Sequence, residues 1–284
     1  MVGQSKKSSG STEITMCTVT ISSLGCLCIE LIKKTEIMKR IVFVALAITF
    51  LVNNTQAQEK QIEVKAFDKL IVSPHIELNL VEGEEENVVI ENAKVPLEKI
   101  NVEVEGRTLR LYLDGAKVVT KSERISSDNW RGSKPLYNGT MATITVTYRK
   151  LENLSVRGEE IVRCKNLFNA DDFKMSLYGE AKVYFNEVSI DELTVAIYGS
   201  SYLEMGGGKV SRQVFRAYGE SEVNTESMVA DETKITAYGE SNFRVNVVDR
   251  LKVTCYGETN INYTGNPDVD KGLIFGEARI RKIG

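Results

Sequence analysis

Tyrosine stands at positions 178, 198, 218, 238 and 256, with Phe275 next in the series, and glycine follows each of them at once. Glutamate comes after the glycine at 180, 220, 240, 258 and 277, and Ser200 fills the one gap. Aromatic rings repeated at strand spacing on an exposed face can stack against sugar rings or a partner protein. Tyr178, Tyr198, Tyr218, Tyr238 and Tyr256 are therefore the candidate ligand-binding residues. The same repetition also stabilises stacked β-structure with no ligand, so both readings stand. Carboxylates in a row repel one another unless a cation such as Ca²⁺ bridges them. The Gly-Gly-x-Gly-x-Asp nonapeptides of calcium-binding β-repeats are missing, so the glutamates read as solvated, and no metal or cofactor is expected.

Other reactive side chains are few. His75 is the single histidine, which rules out a multi-histidine metal site and leaves an ordinary strand or loop position as its expected role. Cys164 and Cys255 fall in different columns of the repeat, several levels apart, so a disulfide between them is not expected. Cys255 reads as a small buried apolar residue. The run Gly206–Gly208 is a turn with no following helix to cradle a phosphate. Every level of the repeat carries nearly the same residues, whereas a polysaccharide lyase or hydrolase needs acids converging on one cleft. No catalytic residue is assigned, and the chain is not expected to be an enzyme. The competing reading is a carbohydrate-active enzyme that uses residues 114–139 as part of a cleft.

The elements that must carry these columns follow from the period. Gly158, Gly179, Gly199, Gly219, Gly239, Gly257 and Gly276 are separated by 21, 20, 20, 20, 18 and 19 residues, a period that marks a solenoid. Four and two residues before each glycine the side chains are mostly apolar (Met175 and Leu177, Val195 and Ile197, Phe215 and Ala217), and two and four after it they are small and then apolar (Ala181 and Val183, Ser201 and Leu203, Ser221 and Val223). Alternation by two is a strand with one buried face, and the odd positions, Tyr and Glu among them, should face solvent. An Asp-rich column, Asp171, Asp191, Ser211, Asp231, Asp249 and Asp268, marks a corner. Beside it Ala170, Ile190, Val210, Ala230, Val248 and Pro267 form a second, weaker apolar column. A unit of about 20 residues has little room for two helices, and the Leu and Asn spacing of leucine-rich repeats is absent. The prediction is an all-β parallel β-helix with one coil per repeat. Its glycines mark either a bend with positive φ or an inward position where no side chain fits.

Residues 58–154 are also β-forming but lack the fixed period. "KINVEVEGRTLRLYLDG" predicts two strands joined at Glu105–Thr108 as a hairpin or adjacent levels. Residues 114–139, which include Trp130, are the longest polar interruption, and loops of that length in compact domains are functional or disordered. At the other end "MKRIVFVALAITFLVNNTQA" has the charged start, short apolar run and small-residue end of a secretory signal over residues 38–57. Residues 1–37 fit no such scheme and read as a mis-assigned upstream extension. The expected mature chain starts near Gln58. Removing residues 1–57 leaves 30 Lys and Arg against 36 Asp and Glu, a mildly acidic balance with no electrostatic footprint for nucleic acid or anionic lipid.

The opener "FDKLIVSPHIELNLVEGEEENVVIENAKVPLEKINVEVEGRTLRLYL", followed by "LENLSVRGEE" and the glycine-marked levels, resembles the putative auto-transporter adhesin, head GIN domain family over roughly residues 63–281. Residues 58–154 would form its N-terminal part and 155–284 its repeat part. The resemblance implies a right-handed β-helical protein, exported to the periplasm, outer surface or medium of a Bacteroidetes-type bacterium. It implies an adhesive role toward a glycan or cell-surface protein, and it brings no catalytic residues; separately, the exposed end levels of a solenoid demand a cap or a partner, which allows a homo-oligomer.

Overall fold

The computed structural model describes residues 60–127 and 130–284. The expected upstream extension and secretory signal lie outside those residues. Sixteen strands follow in order: β1 (Lys60–Glu63), β2 (Lys69–Val72), β3 (Ile76–Glu82), β4 (Asn87–Ala93), β5 (Ile100–Glu105), β6 (Thr108–Leu113), β7 (Ser122–Ser127), β8 (Trp130–Pro135) and β9 (Ala142–Tyr148). After these come β10 (Asn153–Gly158), β11 (Ile161–Gly179), β12 (Lys182–Gly199), β13 (Tyr202–Met205), β14 (Gly208–Tyr218), β15 (Ser221–Thr264) and β16 (Asp268–Lys282).

From β10 onward the chain winds as the predicted β-solenoid. Leu154 pairs with Met175, Met175 with Val195, Val195 with Phe215 and Phe215 with Ile235, always in parallel. Past the glycine, Val183 pairs with Leu203 and Leu203 with Val223. The ladder skips Asp171, Asp191, Ser211 and Asp231 while pairing their neighbours, which places the Asp-rich column at a corner as expected. The inward columns are sealed: Met175, Leu177, Val195, Ile197, Phe215, Ala217, Ile235 and Ala237 are all buried. Rings of Phe168, Phe173 and Phe185 cluster with centroids 4.4–5.9 Å apart and fill the wide part of the core.

The repeat glycines sit at an exposed bend. Tyr178, Gly179 and Glu180 all face outward between buried Leu177 and buried Ala181, so simple alternation fails at this one place. The backbone explains it, because φ is between +95° and +134° at Gly179, Gly199, Gly219, Gly239, Gly257 and Gly276, a region closed to most L-residues. Crowding comes along the stack: a Cβ on Gly219 would meet the carbonyl oxygen of Gly199 at 2.7 Å. That carbonyl is held by the hydroxyl two places beyond the next glycine. Ser201 Oγ donates to the Gly179 oxygen at 3.1 Å, Ser221 Oγ to that of Gly199 at 3.4 Å, and Ser241 Oγ to that of Gly219 at 3.4 Å. The serines of the inward column are thus buried yet satisfied.

One expected column breaks. Val248 is exposed and Val247 is buried in its stead. The interval from Gly239 to Gly257 is 18 residues, against 20 before it and 19 after it, which changes which residues of the minor side point inward.

The N-terminal strands close one end of the stack. Here β2 pairs with β10 and β6, and β3 with β11 and β9, all in parallel, so β2 and β3 act as the two sides of one more coil. The order then turns antiparallel: β4 with β9, β1 with β4, and β5 with β6 as a hairpin. Of the two sequence readings for Glu105–Thr108, the hairpin is the one adopted, with Gly106 at φ +61° in its turn. Residues 114–139, read as a long loop, carry an antiparallel hairpin of their own, β7 with β8.

Two outcomes test this account. Gly219→Ala should cost at least ~2–3 kcal/mol in denaturant unfolding, because it adds a forbidden φ to an overlap with the rung below, whereas Gly106→Ala, with open space around its Cβ, should cost only ~1 kcal/mol. Cys164 is buried, and burial pushes its thiol up from 9.0 to about 11. The folded protein therefore holds that proton more tightly than the unfolded chain. The resulting stability is complete below pH 9 and is lost as the pH rises toward 11. Unfolding free energy measured between pH 8 and 11 should fall less steeply for Cys164→Ala than for the parent.

Candidate functional site

Parallel, in-register pairing fixes the tyrosines over one another. Tyr178 pairs with Tyr198, and Tyr198 with Tyr218, and Tyr218 with Tyr238. Their rings stack with centroids 4.7–5.0 Å apart and planes within 8°, through Tyr256, and Phe275 extends the ladder at 5.5 Å and 12°. All five predicted tyrosines are therefore brought together on the exposed corner.

The geometry changes what the column can do. In a near-parallel stack each ring covers the faces of its neighbours, so Tyr198, Tyr218 and Tyr238 offer edges and hydroxyls to solvent and keep only 36–41 % of their surface exposed. Face-on stacking of a sugar against these rings is blocked. Face-on contact is left for Phe275, which is 62 % exposed. Glu180, Ser200, Glu220 and Glu240 line the same corner and are also exposed. Glu220 and Glu240 flank a shallow depression with Ser200, Tyr202 and Asn242. Among the described residues no group of three or more His, Cys, Asp or Glu is placed to hold a metal ion.

The head of the ladder opens into a cleft of about 620 Å³, within the range of small-ligand sites. Its floor is the corner of the lowest coils, Pro74, His75 and Gly158–Glu160, and its wall is the insertion, through Val118, Val119, Thr120, Pro135 and Tyr137. Tyr178 and Gly179 form the rim. Arg157 occupies the tyrosine column one level down, paired with Tyr178, and its guanidinium lies 5.5 Å from the Tyr178 ring centre.

His75 takes a role that its sequence context did not signal. It has φ +74°, the single positive value at a non-glycine among the described residues, and it follows Pro74, which lies against Gly158 at the corner. Nδ1–H donates to the Gly139 carbonyl at 2.8 Å, and in that neutral tautomer Nε2 accepts from Thr120 Oγ1 at 2.6 Å. The imidazole thereby ties the insertion to the stack, and Ser73 Oγ does the same by donating to the Lys117 carbonyl at 2.7 Å. Glu160, almost fully buried, places Oε1 3.7 Å from His75 Nδ1 while its other oxygen accepts the Glu159 N–H at 3.0 Å. Tyr137 packs edge-on against His75 and donates to the Asp114 carbonyl at 2.9 Å. Burial first, and then the Asp114 and Glu123 carboxylates, push the Tyr137 phenol up. Arg157, Glu159 and Glu160 were missed by the sequence reading. Their one visible signal was that "SVRGEE" carries Arg where every later level carries an aromatic.

A family model described as putative auto-transporter adhesin, head GIN domain, matches residues 66–267. No curated protein matches the sequence. Among solved structures, a putative adhesin from Bacteroides fragilis NCTC 9343 is similar with a TM-score of 0.66 at 18 % identity, covering 79 % of this chain and 96 % of that one. A putative lipid binding protein from Parabacteroides distasonis ATCC 8503 has a TM-score of 0.57 at 18 % identity, covering 81 % and 98 %. A putative adhesin from Parabacteroides merdae ATCC 43184 has a TM-score of 0.57 at 17 % identity, with the same coverage. At such identity the likeness concerns the fold.

The ladder should contribute to stability independently of any ligand. Tyr218→Ser removes two stacking contacts and should lower unfolding free energy by about 1–3 kcal/mol, read by thermal or denaturant melting; an unchanged melt would mean that the rings are stacked without consequence.

Proposed function

This chain belongs to the putative auto-transporter adhesin, head GIN domain family, and on that premise we propose that it is an exported, non-catalytic adhesion module that holds a glycan along the tyrosine corner. The observation that carries the reading is the ladder itself. It offers a straight row of phenol edges at near-constant spacing, with carboxylates beside them, ending in a cleft. A polyhydroxylated polymer has hydrogen-bonding groups at regular intervals and can meet such a row along its length, where one isolated tyrosine would bind it weakly. The carboxylates beside the row are acidic, which favours a neutral ligand over a nucleic acid. Among the described residues no helix is long and apolar enough to cross a membrane.

A second reading rests on the cleft, where His75 and the buried Glu160 lie together: a carbohydrate-active enzyme acting at the head of the ladder. A glycan array separates the two when it is combined with a turnover assay on the glycans bound. Binding without cleavage supports the adhesion module, and release of product overturns it.

The ring edges can be tested without disturbing the stack. Tyr218→Phe with Tyr238→Phe removes two hydroxyls and keeps both rings. The expected result is glycan affinity lowered by about tenfold, corresponding to one or two hydrogen bonds, with the melting temperature unchanged. Full affinity in this variant would mean that the phenol row does not touch the ligand.

A further inference from the structure

The position two places beyond each corner glycine points inward and carries a small side chain at five successive levels: Ala181, Ser201, Ser221, Ser241 and Thr259, all buried. After Gly158 the same position carries Glu160, and its side chain is only 6 % exposed. Gly158 leaves the room, since a Cβ there would overlap Glu160 Oε2. That oxygen accepts the Glu159 N–H at 3.0 Å. Oε1 accepts no hydrogen bond among the described residues: His75 Nδ1 stands 3.7 Å away, with its hydrogen given to the Gly139 carbonyl. A carboxylate taken out of water costs free energy unless it is paired. Such a group beside a cleft marks a place for a ligand that supplies the missing donor.

The walls of the cleft at the head of the ladder select that ligand. Its charged lining residues are Arg157, Glu159 and Glu160, one cation against two carboxylates, with His75 in its neutral tautomer. The Arg157 guanidinium lies over the Tyr178 ring, and Glu159 is exposed. The insertion adds no charge to the lining. It contributes Val118 and Val119, 53 % and 73 % exposed, with Pro135 and Tyr137, and adjacent uncovered valines at a cleft are apolar surface that an apolar group can cover. A sugar ring finds no aromatic face at the rim, because Arg157 and Tyr198 lie over the two faces of Tyr178.

We propose that the cleft is a binding site for an amphipathic primary amine, whose ammonium group donates to Glu160 Oε1 and whose apolar body lies against Val118 and Val119. An ammonium brings three donors and a positive charge on one compact group, which supplies both things that the buried carboxylate lacks. The stack thus provides the charge of the site and the insertion provides its apolar wall. His75 and Ser73, which tie the insertion to the stack through Thr120, Gly139 and Lys117, hold the two halves at a fixed separation and act as positioning residues. The site goes beyond adhesion along the ladder and does not depend on it, for it needs no polymer and uses no hydroxyl of the tyrosine row.

Titration calorimetry of the purified protein at neutral pH with n-hexylamine, n-hexanol, hexanoate and glucosamine tests this. The expected result is that hexylamine binds at least about tenfold more tightly than each of the other three. Glu160→Gln should weaken hexylamine by about tenfold or more and leave hexanol unchanged. Its melting temperature should stay the same or rise, because an uncompensated carboxylate is removed. Val118→Ser with Val119→Ser, both at exposed positions, should weaken hexylamine by about tenfold, and this variant decides the matter if Glu160→Gln does not fold. Absence of hexylamine binding overturns the proposal, as does preference for hexanoate, which would make Arg157 the anchor. Glucosamine bound as tightly as hexylamine overturns the apolar body in favour of an amino sugar. A folded Glu160→Gln protein with full affinity for hexylamine overturns the anchor, and so does a lowered melting temperature, which would make Glu160 a structural partner of His75.

Discussion

One stack of backbone groups governs this molecule: the carbonyl of each corner glycine and the glycine that sits directly above it. At every level the chain turns outward with φ above +90°, and the next level comes so close that a methyl group on its glycine would overlap the carbonyl below by 2.2–2.8 Å contacts. The inward serine two places on supplies a hydroxyl to that carbonyl in the middle levels. The buried serine hydroxyl is thereby satisfied, and the Gly179 carbonyl takes it as a second donor beside the Ser200 N–H at 2.9 Å. The recurring Tyr-Gly-Glu-Ser is thus first a way of turning a corner tightly and repeatedly.

The exposed surface follows from the same constraint. Because the glycines must lie over one another, the residue before each must as well, and the tyrosines have no freedom to splay. Stacking is the result, and it consumes the ring faces. What remains is a row of edges and hydroxyls, a surface suited to a ligand that is itself periodic. The glutamates on the other flank follow the same spacing and remain in water, where their mutual repulsion is screened.

The solenoid handles its two ends by different physics. At the N-terminal end the chain reverses, antiparallel strands take up the free edge, and the 114–139 insertion arches over the corner, pinned by His75 and Ser73. The cleft exists because the insertion stands off from the last ring of the ladder. At the other end the repeat runs on to β16, where Ile274, in a column buried at the levels below, is 37 % exposed. Apolar residues that would be core in any other level become surface there because of their place in the stack alone.

Much was legible from the sequence. Period, parallel stacking, the Asp-rich corner, the exposed tyrosines and the buried alternation all follow from local rules applied at a fixed interval, since a solenoid turns sequence neighbours at one period into spatial neighbours. Even the short hairpin at Gly106 was among the readings. What only the tertiary structure decided depended on atoms brought together from distant parts of the chain. Whether Gly179 and its equivalents bend outward or point inward turned on the backbone of the level below. The role of His75 turned on Thr120 and Gly139, 45 and 64 positions away, and nothing near His75 in sequence encodes that contact. The tyrosine faces look available in a list of residues and are covered in space, because stacking is a property of the pair and not of either ring.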